Sequence, residues 1–377
     1  MRRIFAPLVL AMPAVALAAC GSSGSGNNNT TSSTSAQAPG NANATVTTGN
    51  PTAPVTLNED GSSLLYPFLQ ELVAPLKQAY PNITLAPAAG GSGKGISDAT
   101  SGTVQMGGSD AYLSPSQLAT PGIMNIPVVI SAQAVNYNLP GVSNLKLSGD
   151  VLAKIYQGKI SHWNDPAIAS LNQGVNLPST TIVPVRRVDS SGDTFIFTSF
   201  LSATNTAWQN GPAFGTTVTW PAATGELTAN GNPGMVQTCQ ATPGCIAYVG
   251  VSSEPAAQKA GLGEAMLQNK SGSFVQPSAD TVNAAVSAGA NDVPANLAQP
   301  LIYEPGAQSY PIVNFEYLVV KKTQPNADTA MALRTFLAWA MDPNGGSQSQ
   351  YLSPEGFVAL PQAVVPKVKA AIAQITS

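Results

Sequence analysis

Charged side chains are scarce in this chain of 377 residues. Asp, Glu, Lys and Arg make up 9% of it, and His162 is the single histidine. The 16 basic residues are outnumbered by 19 acidic ones. Proteins that bind nucleic acid neutralise its phosphates with a basic face. The composition therefore disfavours nucleic acid as a partner.

The usual signatures of hydrolases are also missing. A Ser-His-Asp triad would have to use His162, and the chain has no complete G-x-S-x-G elbow. The stretch GGSGKG is not a nucleotide P-loop, because Lys94 is followed by Gly95 and Ala88 stands where that loop requires its first glycine. These absences disfavour hydrolase and nucleotide-cleaving functions and leave carboxylate-only chemistry open.

The first 19 residues have the features of an export signal. Arg2 and Arg3 precede an apolar run, and small residues lead to Cys20. Pro7 and Pro13 interrupt the run, which is too short for a strong spanning helix of roughly 20 apolar residues. The ending Leu-Ala-Ala-Cys resembles the bacterial lipoprotein cleavage box and predicts lipid (palmitate) attachment at Cys20. The alternative is an ordinary signal peptide whose cleavage site happens to contain cysteine.

Residues 20–54 are mostly Gly, Ser, Asn, Thr and Ala. Such a segment cannot bury enough apolar surface to offset the entropy of folding. We expect a flexible low-complexity linker that holds a globular body away from a membrane. The body has about 320 residues, more than one compact core usually holds, which predicts two lobes.

Two cysteines, Cys239 and Cys245, lie close together in the segment CQATPGC. In an exported protein the favoured interpretation is a disulfide bond. Metal binding is the alternative, although two cysteines and His162 need help from carboxylates to complete a tetrahedral zinc site.

Short strands alternate with helices along the body. The stretches VTLNEDGSSLLYPF, ITLAPAAGGSGKG and TIVPVRRVDSSGDTF each run from a strand through a Gly/Ser turn into a helix. The alternation predicts an α/β fold with largely parallel sheets. Free backbone N–H groups at a helix start bind anions. One such turn alone is better explained by N-capping, but three together favour an anion site.

The blocks GSSL, GSG, GGSDAYLS, IYQGKISHWNDPAI, VPVRRVDSSGDTFIFTSFL, TPGCIAYVG and LPQAVV occur in a characteristic order. From about Val55 to Ile375 the chain resembles the phosphate-binding lipoproteins of the bacterial ABC-type phosphate-uptake system, the PstS family. The leader, the cysteine pair in CQATPGC and the sequence SGDTF resemble those of proteins from its actinobacterial branch. The resemblance implies a type II periplasmic-binding fold that closes on phosphate between two lobes. Lobe 1 would comprise 55–136 plus 312–377 and lobe 2 would comprise 137–311, with crossings near 136–139 and 311–314.

The resemblance also implies a ligand set drawn from both lobes. Its phosphate-binding residues are Ser63, Leu64, Ser92 and Asp110 in the first lobe and Arg187, Ser191 and Gly192 in the second. Asp189 would orient Arg187; a surface ion pair is the alternative for these two. The family's usual Thr-Phe pair is Ser63-Leu64 here, so the hydroxyl is kept and the ring is lost.

Asp110 has a chemical reason to lie in such a site. An ionised carboxylate only accepts hydrogen bonds, so it suits an oxyanion that carries a proton. Phosphate near neutral pH keeps a proton and sulfate does not, and polar sites of this kind discriminate by roughly 10⁴ to 10⁵. The alternative is that Asp110 caps a turn or helix.

Asp193 is the main departure, because the family's broader pattern has threonine there. We assign Asp193 to the phosphate site and predict that, with Asp110, it makes the site favour the more protonated form of phosphate. The alternative is that Asp193 caps its helix start, where the helix dipole favours a carboxylate.

The function implied by the resemblance is capture of inorganic phosphate by a monomer anchored through lipid on the outer face of the cell membrane. The phosphate would pass to the permease subunits of an ABC transporter, with no bond made or broken and no cofactor or metal. A secreted phosphoesterase and a surface adhesin or interaction lipoprotein are the alternatives.

Overall fold

A computed structural model describes residues 45–377. The predicted export signal, the lipidation site Cys20 and most of the predicted linker lie outside the described residues. Within 45–377, none of the helices has both the length and the apolar character that crossing a membrane requires.

The described part of the chain alternates strands and helices. The strands are β1 (Val55–Gly61), β2 (Ile83–Ala86), β3 (Met106–Ser109), β4 (Ile123–Tyr137), β5 (Lys146–Leu147), β6 (Val183–Arg187), β7 (Leu227–Ala229), β8 (Cys245–Gly250), β9 (Gly263–Glu264), β10 (Met266–Gln268), β11 (Phe274–Val275), β12 (Pro300–Ile302) and β13 (Ile312–Lys321). The α-helices are α1 (Tyr66–Ala79), α2 (Ser92–Ser101), α3 (Pro115–Leu118), α4 (Gly149–Tyr156), α5 (Pro166–Leu171), α6 (Gly192–Thr204), α7 (Thr206–Gln209), α8 (Gly231–Gln240), α9 (Glu254–Lys259), α10 (Ala279–Gly289), α11 (Ala327–Ala340), α12 (Ser349–Leu352) and α13 (Val365–Ile372). Two 3-10 turns cover Val251–Ser253 and Ser353–Glu355.

Ten of the strands form one mixed sheet in the order β2-β1-β3-β13-β4-β8-β6-β7, with β12 beside β13 and β9 beside β4. The outer groups β2-β1-β3 and β8-β6-β7 are each parallel. Between them the long strands β13 and β4 run antiparallel. Strands β11, β10 and β5 form a separate small sheet. The prediction of an α/β protein with two lobes, each built on a mostly parallel sheet, is confirmed.

Strand β4 connects the two groups. It pairs with β13 through residues 123–132 and with β8 through residues 133–137. The β4–β13 register shifts where Glu316 lies opposite Val129 and Tyr317 lies opposite Pro127, which leaves Val128 as the extra residue of a β-bulge. Pro127 has no N–H to donate, so a bulge is a site that tolerates it.

The helices after β1 and β6 are buried to different extents. Helix α1 is amphipathic and buries one face, formed by Phe68, Leu69, Leu72 and Leu76. Helix α6 has ten buried residues out of 13, and these include all four residues of its first turn, Gly192 to Phe195. The anion site therefore has a rigid, packed support on the α6 side.

The folded body begins before Val55. Residues 45–54 were expected to belong to the flexible linker, but they lie against the C-terminal helices. Thr52 donates its N–H to Asp328 Oδ1 at 2.8 Å, and Gly49 exchanges hydrogen bonds with the Thr335 hydroxyl at 2.9 Å. Composition cannot reveal these contacts, because they depend on partners more than 270 positions away in the sequence.

Cys239 at the end of α8 and Cys245 at the start of β8 are joined by a disulfide, with their Cα atoms 5.3 Å apart. Both cysteines are completely buried. A zinc ion held by these two thiolates, the alternative left open by the sequence, is incompatible with that bond.

Candidate anion-binding site

The N-termini of α2 and α6 meet at one place between the two lobes. Gly93 in the first turn of α2 donates its N–H to Ser190 O, just before α6, at 2.9 Å. A β-carbon on Gly192, the first residue of α6, would lie 2.4 Å from Ser92 Oγ. The first N–H groups of a helix have no intrahelical partner and carry partial positive charge. Two such ends therefore face one small volume.

Asp110 lies in this volume directly after β3 and is 1% exposed. The Ser62 hydroxyl donates to Asp110 Oδ1, and the Ser92 hydroxyl lies 3.3 Å from Asp110 Oδ2. The Asn314 side chain donates to the Asp110 carbonyl. Burial raises the pKa of Asp110, while these hydroxyl donors and the charge of Arg187 oppose the rise. Asp110 is thus a fixed, buried acceptor and not the cap of an exposed turn.

Arg187 ends β6 and supplies the positive charge of the site. It is 4% exposed, so the alternative of a surface ion pair with Asp189 is wrong for its guanidinium. Arg187 Nε donates to Asp189 Oδ1 at 2.7 Å, and a second guanidinium nitrogen contacts Asp189 Oδ2, which makes the pair bidentate. Burial alone lowers the pKa of Arg187, but Asp189 and Asp193 outweigh it and raise that pKa. A bidentate carboxylate fixes the plane of the guanidinium.

Asp193 is 1% exposed, and its carboxylate turns toward Arg187. Arg187 donates to Asp193 Oδ2 at 2.6 Å, Asn232 Nδ2 donates to the same oxygen at 2.8 Å, and Gln133 Nε2 lies 3.1 Å from Asp193 Oδ1. Burial and the charge of Asp110 raise the pKa of Asp193 to about 7, against the opposing effect of Arg187.

Ser191 is the N-cap of α6, since its hydroxyl accepts the Thr194 N–H at 3.3 Å. The capping role that sequence analysis left open for Asp193 therefore belongs to Ser191. Gly192 follows as the first residue of the helix, where its lack of a side chain leaves room for Asp110 and Ser92 of the opposite lobe.

The turn before α1 differs in detail from the prediction. Ser62 Oγ accepts the N–H groups of Leu64 and Leu65, each at 3.0 Å, while its hydroxyl donates to Asp110. Leu64 is one of the predicted phosphate-binding residues, and its N–H therefore has a partner within its own turn. The Ser63 hydroxyl accepts from the N–H of Asn232 at 3.1 Å and from its Nδ2 at 3.3 Å, across the cleft.

The three turns predicted from the sequence lie together in the structure, with four side chains that were not predicted. These are Ser62, Gln133, Asn232 and Glu316. Ser62 shares the GSS turn, where sequence alone does not tell which hydroxyl points inward. Glu316 carries a visible signal, because it is the one acidic residue in the apolar strand IVNFEYLVV. Asn232 and Gln133 have no sequence signal that we can identify.

The arrangement combines a donor side with an acceptor side. The donor side has one guanidinium and two helix N-termini, and the acceptor side has the carboxylate of Asp110. Among the described residues, no group of three or more His, Cys, Asp or Glu side chains is placed to hold a metal ion. The geometry suits a small oxyanion that both accepts and donates hydrogen bonds.

Comparison with known proteins identifies the family. A family model described as a PBP superfamily domain matches residues 31–344. The chain is 33% identical over 322 residues to the phosphate-binding protein PstS of Pasteurella multocida, covering 85% of this chain and 90% of the relative. The chain belongs to the PstS family of phosphate-binding proteins. The resemblance inferred from the sequence blocks is thereby confirmed.

Solved structures agree with this family assignment at the level of the fold. The phosphate-binding protein of Stenotrophomonas maltophilia is 22% identical, with a TM-score of 0.65, covering 84% of this chain and 93% of that one. An ABC-type phosphate transport receptor from Vibrio cholerae is 18% identical, with a TM-score of 0.53, covering 81% of this chain and 100% of that one.

Proposed function

We propose that this PstS-family protein binds inorganic phosphate outside the cell and delivers it to the permease of an ABC transporter. The observation that carries the proposal is the position of Asp110, a buried acceptor that faces Arg187 and the α6 N-terminus across the cleft. The names of the relatives support phosphate as the ligand, and the Vibrio cholerae receptor supports a transport role. The proposed role is non-catalytic, and the relatives give no support to a phosphoesterase or an adhesin.

The proposed ligand set follows the same geometry. Arg187 and the first N–H groups of α2 and α6, including those of Ser92 and Gly192, would donate to phosphate oxygens. Asp110 would accept a hydrogen bond from the protonated phosphate oxygen, and Asp189 would hold the guanidinium. Ser63, Leu64, Ser191 and Asp193 complete the set predicted from the sequence. Of these, Ser63 contacts Asn232 of the opposite lobe and Asp193 contacts Gln133 of the opposite lobe, which supports a role for both in holding the lobes together.

Selectivity between phosphate and sulfate would come from the proton. Sulfate would place an oxygen that carries no proton next to the Asp110 carboxylate. The hydrogen bond that protonated phosphate donates to Asp110 would then be absent, while both buried oxygens would still have lost their hydration. We expect phosphate to bind more tightly than sulfate by roughly 10⁴-fold at pH 7.

The test is titration calorimetry with inorganic phosphate and with sulfate at pH 7. Asp110→Asn removes the carboxylate with little change in shape, and we expect it to reduce the preference for phosphate by at least about tenfold. Asp292→Asn makes the same change in an exposed turn and serves as the matched control. Sulfate binding as tight as phosphate binding, or an unchanged preference in Asp110→Asn, contradicts the proposed mechanism.

The cellular setting is part of the same proposal. Lipid attachment at Cys20 would hold a monomer on the outer face of the membrane, and the glycine- and serine-rich residues after it would give the body reach toward the permease. Mass spectrometry of the mature N-terminus checks the modification. Release of Cys20→Ala into the medium is the expected result, and retention of that variant on the membrane contradicts the lipid anchor.

A further inference from the structure

Glu316 is a second acidic residue behind Asp110, and the binding site as proposed above does not use it. It lies in the middle of β13, is 0% exposed, and sits beside the β-bulge at Val128. Bulges next to functional sites commonly re-aim a side chain. Asn314 and Glu316 are two positions apart on one strand, so both side chains point to the face that carries Asp110.

The contacts of Glu316 are few for a buried carboxyl group. The Ser131 hydroxyl lies 2.5 Å from Glu316 Oε1. Glu316 Oε2 receives no hydrogen bond from a donor group among residues 45–377. The other contact of the group is the carboxyl of Asp110, which is within hydrogen-bonding reach. Two negative charges raise the pKa of Glu316, namely Asp110, which follows β3, and Asp193 on α6. The positive charge of Arg187 lowers the pKa of Asp110.

Two carboxyl groups in contact inside a protein cannot both be ionised without a large cost, so the pair retains one proton. Asp110 accepts from the hydroxyls of Ser62 and Ser92 and is close enough to Arg187 to be stabilised by its charge, whereas Glu316 has only Ser131. The ionised state is better supported on Asp110. The proton consequently resides on Glu316, where burial and the neighbouring charge of Asp110 raise the pKa well above its usual value.

We propose that Glu316 is a positioning and specificity-determining residue that, in its protonated form, donates a hydrogen bond to Asp110. This inference rests on the proposed binding of phosphate at Asp110. The donated bond fixes the rotation of the Asp110 carboxylate and opposes the rise that burial gives its pKa, so Asp110 stays ionised to lower pH than it would without Glu316. The ionised Asp110 can accept a hydrogen bond from the protonated oxygen of the ligand. At high pH, loss of the Glu316 proton places a second negative charge behind Asp110 and repels the incoming anion.

Two substitutions separate this role from simple packing. Glu316→Gln keeps a donor toward Asp110 and an acceptor for Ser131 but never ionises, whereas Glu316→Leu keeps the volume and removes both. Phosphate and sulfate affinities are measured by calorimetry from pH 5 to pH 9 for the full-length protein and both variants. Comparison with the unsubstituted protein cancels the titration of phosphate itself.

We expect Glu316→Leu to weaken phosphate binding at pH 7 by about tenfold or more, and to lower the phosphate-to-sulfate ratio, because a hydrogen bond to a charged group is lost. We expect Glu316→Gln to recover most of that loss at pH 7 and to show a shallower decline in affinity at alkaline pH. Unchanged affinity and unchanged selectivity in Glu316→Leu overturn the inference. So does a Glu316→Gln variant that behaves like Glu316→Leu.

A ligand-free measurement keeps the inference testable if Glu316→Leu fails to fold. Infrared difference spectroscopy between the unsubstituted protein and Glu316→Gln at pH 7 is expected to show loss of one C=O band of a protonated carboxylic acid. Absence of that difference band overturns the assignment of the proton. If the unsubstituted protein fails to bind phosphate, the proposed function fails, and the infrared result still reports on the Glu316–Asp110 pair separately.

Discussion

Gly192 of α6 faces Asp110 across the cleft so closely that a β-carbon at position 192 would lie 2.3 Å from Asp110 Oδ2. Real β-carbons essentially never approach another atom that closely, so one of the two groups would have to move. Asp110 has little freedom to move, because hydroxyl groups hold its carboxylate and Asn314 holds its backbone carbonyl. The glycine is therefore a condition for the two lobes to meet at this site.

The first prediction is that Gly192→Ala weakens phosphate binding by about tenfold or more, since overpacking of this kind typically costs about 1–3 kcal/mol. Calorimetry gives the affinity, and small-angle scattering shows whether added phosphate still makes the protein more compact. Gly234→Ala is the control, because its β-carbon would meet its nearest neighbour, Ala229, at an ordinary 3.6 Å. Affinity in Gly192→Ala equal to that of the control contradicts the close approach.

The second prediction concerns the charge of Asp193. Its pKa of about 7 means that the carboxyl group ionises as pH rises through neutrality. Ionisation adds negative charge beside the anion and neutralises part of the Arg187 charge, so phosphate affinity is expected to fall over this range. Asp193→Thr cannot ionise and should show a shallower decline between pH 6 and pH 8. Calorimetry at several pH values checks this, and parallel profiles for the two proteins contradict it.

How far the sequence predicts this site depends on whether a residue contacts local or distant partners. Arg187, Ser191 and Gly192 lie within one strand-turn-helix unit, so spacing and turn chemistry are enough to indicate their roles. Ser62 and Asn232 are different, because their roles depend on partners elsewhere in the sequence. Ser62 contacts Asp110 of its own lobe, and Asn232 contacts Ser63 across the cleft.

The same distinction between local and distant contacts applies to the fold. The α/β alternation and the amphipathic face of α1 follow from local patterns of apolar residues. The change of partner along β4 and the bulge opposite Glu316 depend on pairing with strands far away in the sequence, which no local pattern specifies. The packing of residues 45–54 against α11 is of this second kind.

The third prediction separates the two serines of the GSS turn. The Ser62 hydroxyl contacts Asp110, whereas the Ser63 hydroxyl accepts from Asn232 of the other lobe. Ser62→Ala should reduce the phosphate-to-sulfate ratio, because the Asp110 carboxylate loses a donor. Ser63→Ala should weaken both anions by a similar factor, since it leaves buried Asn232 donors without a partner at a cost of about 1–3 kcal/mol. Calorimetry with both anions distinguishes these outcomes, and equal ratios in the two variants contradict the assignment.

The fourth prediction concerns stability and a carboxyl pair away from the anion site. Glu264 lies opposite Asn136 in the β4–β9 ladder, and Asn136 Nδ2 donates to Glu254 at 3.0 Å. Burial, together with the negative charge of Glu254, raises the pKa of Glu264 to about 8. In the unfolded chain a glutamate titrates near 4.3. Between these values the folded protein binds more protons than the unfolded chain, so the free energy of unfolding falls as pH rises from about 4.5 to 8.

Glu264→Gln removes this proton linkage while keeping the size of the side chain. The variant should therefore lose less stability than the unsubstituted protein between pH 5 and pH 8, and at pH 8 it should be the more stable of the two by about 1 kcal/mol, or roughly 2–4 °C in Tm. Asp292→Asn in an exposed turn is the control and should leave the slope unchanged. Thermal unfolding followed by circular dichroism at several pH values measures both slopes. If Glu264→Gln and Asp292→Asn lose stability in parallel, the buried pair does not hold the proton, and the loss of stability with rising pH must arise from another group.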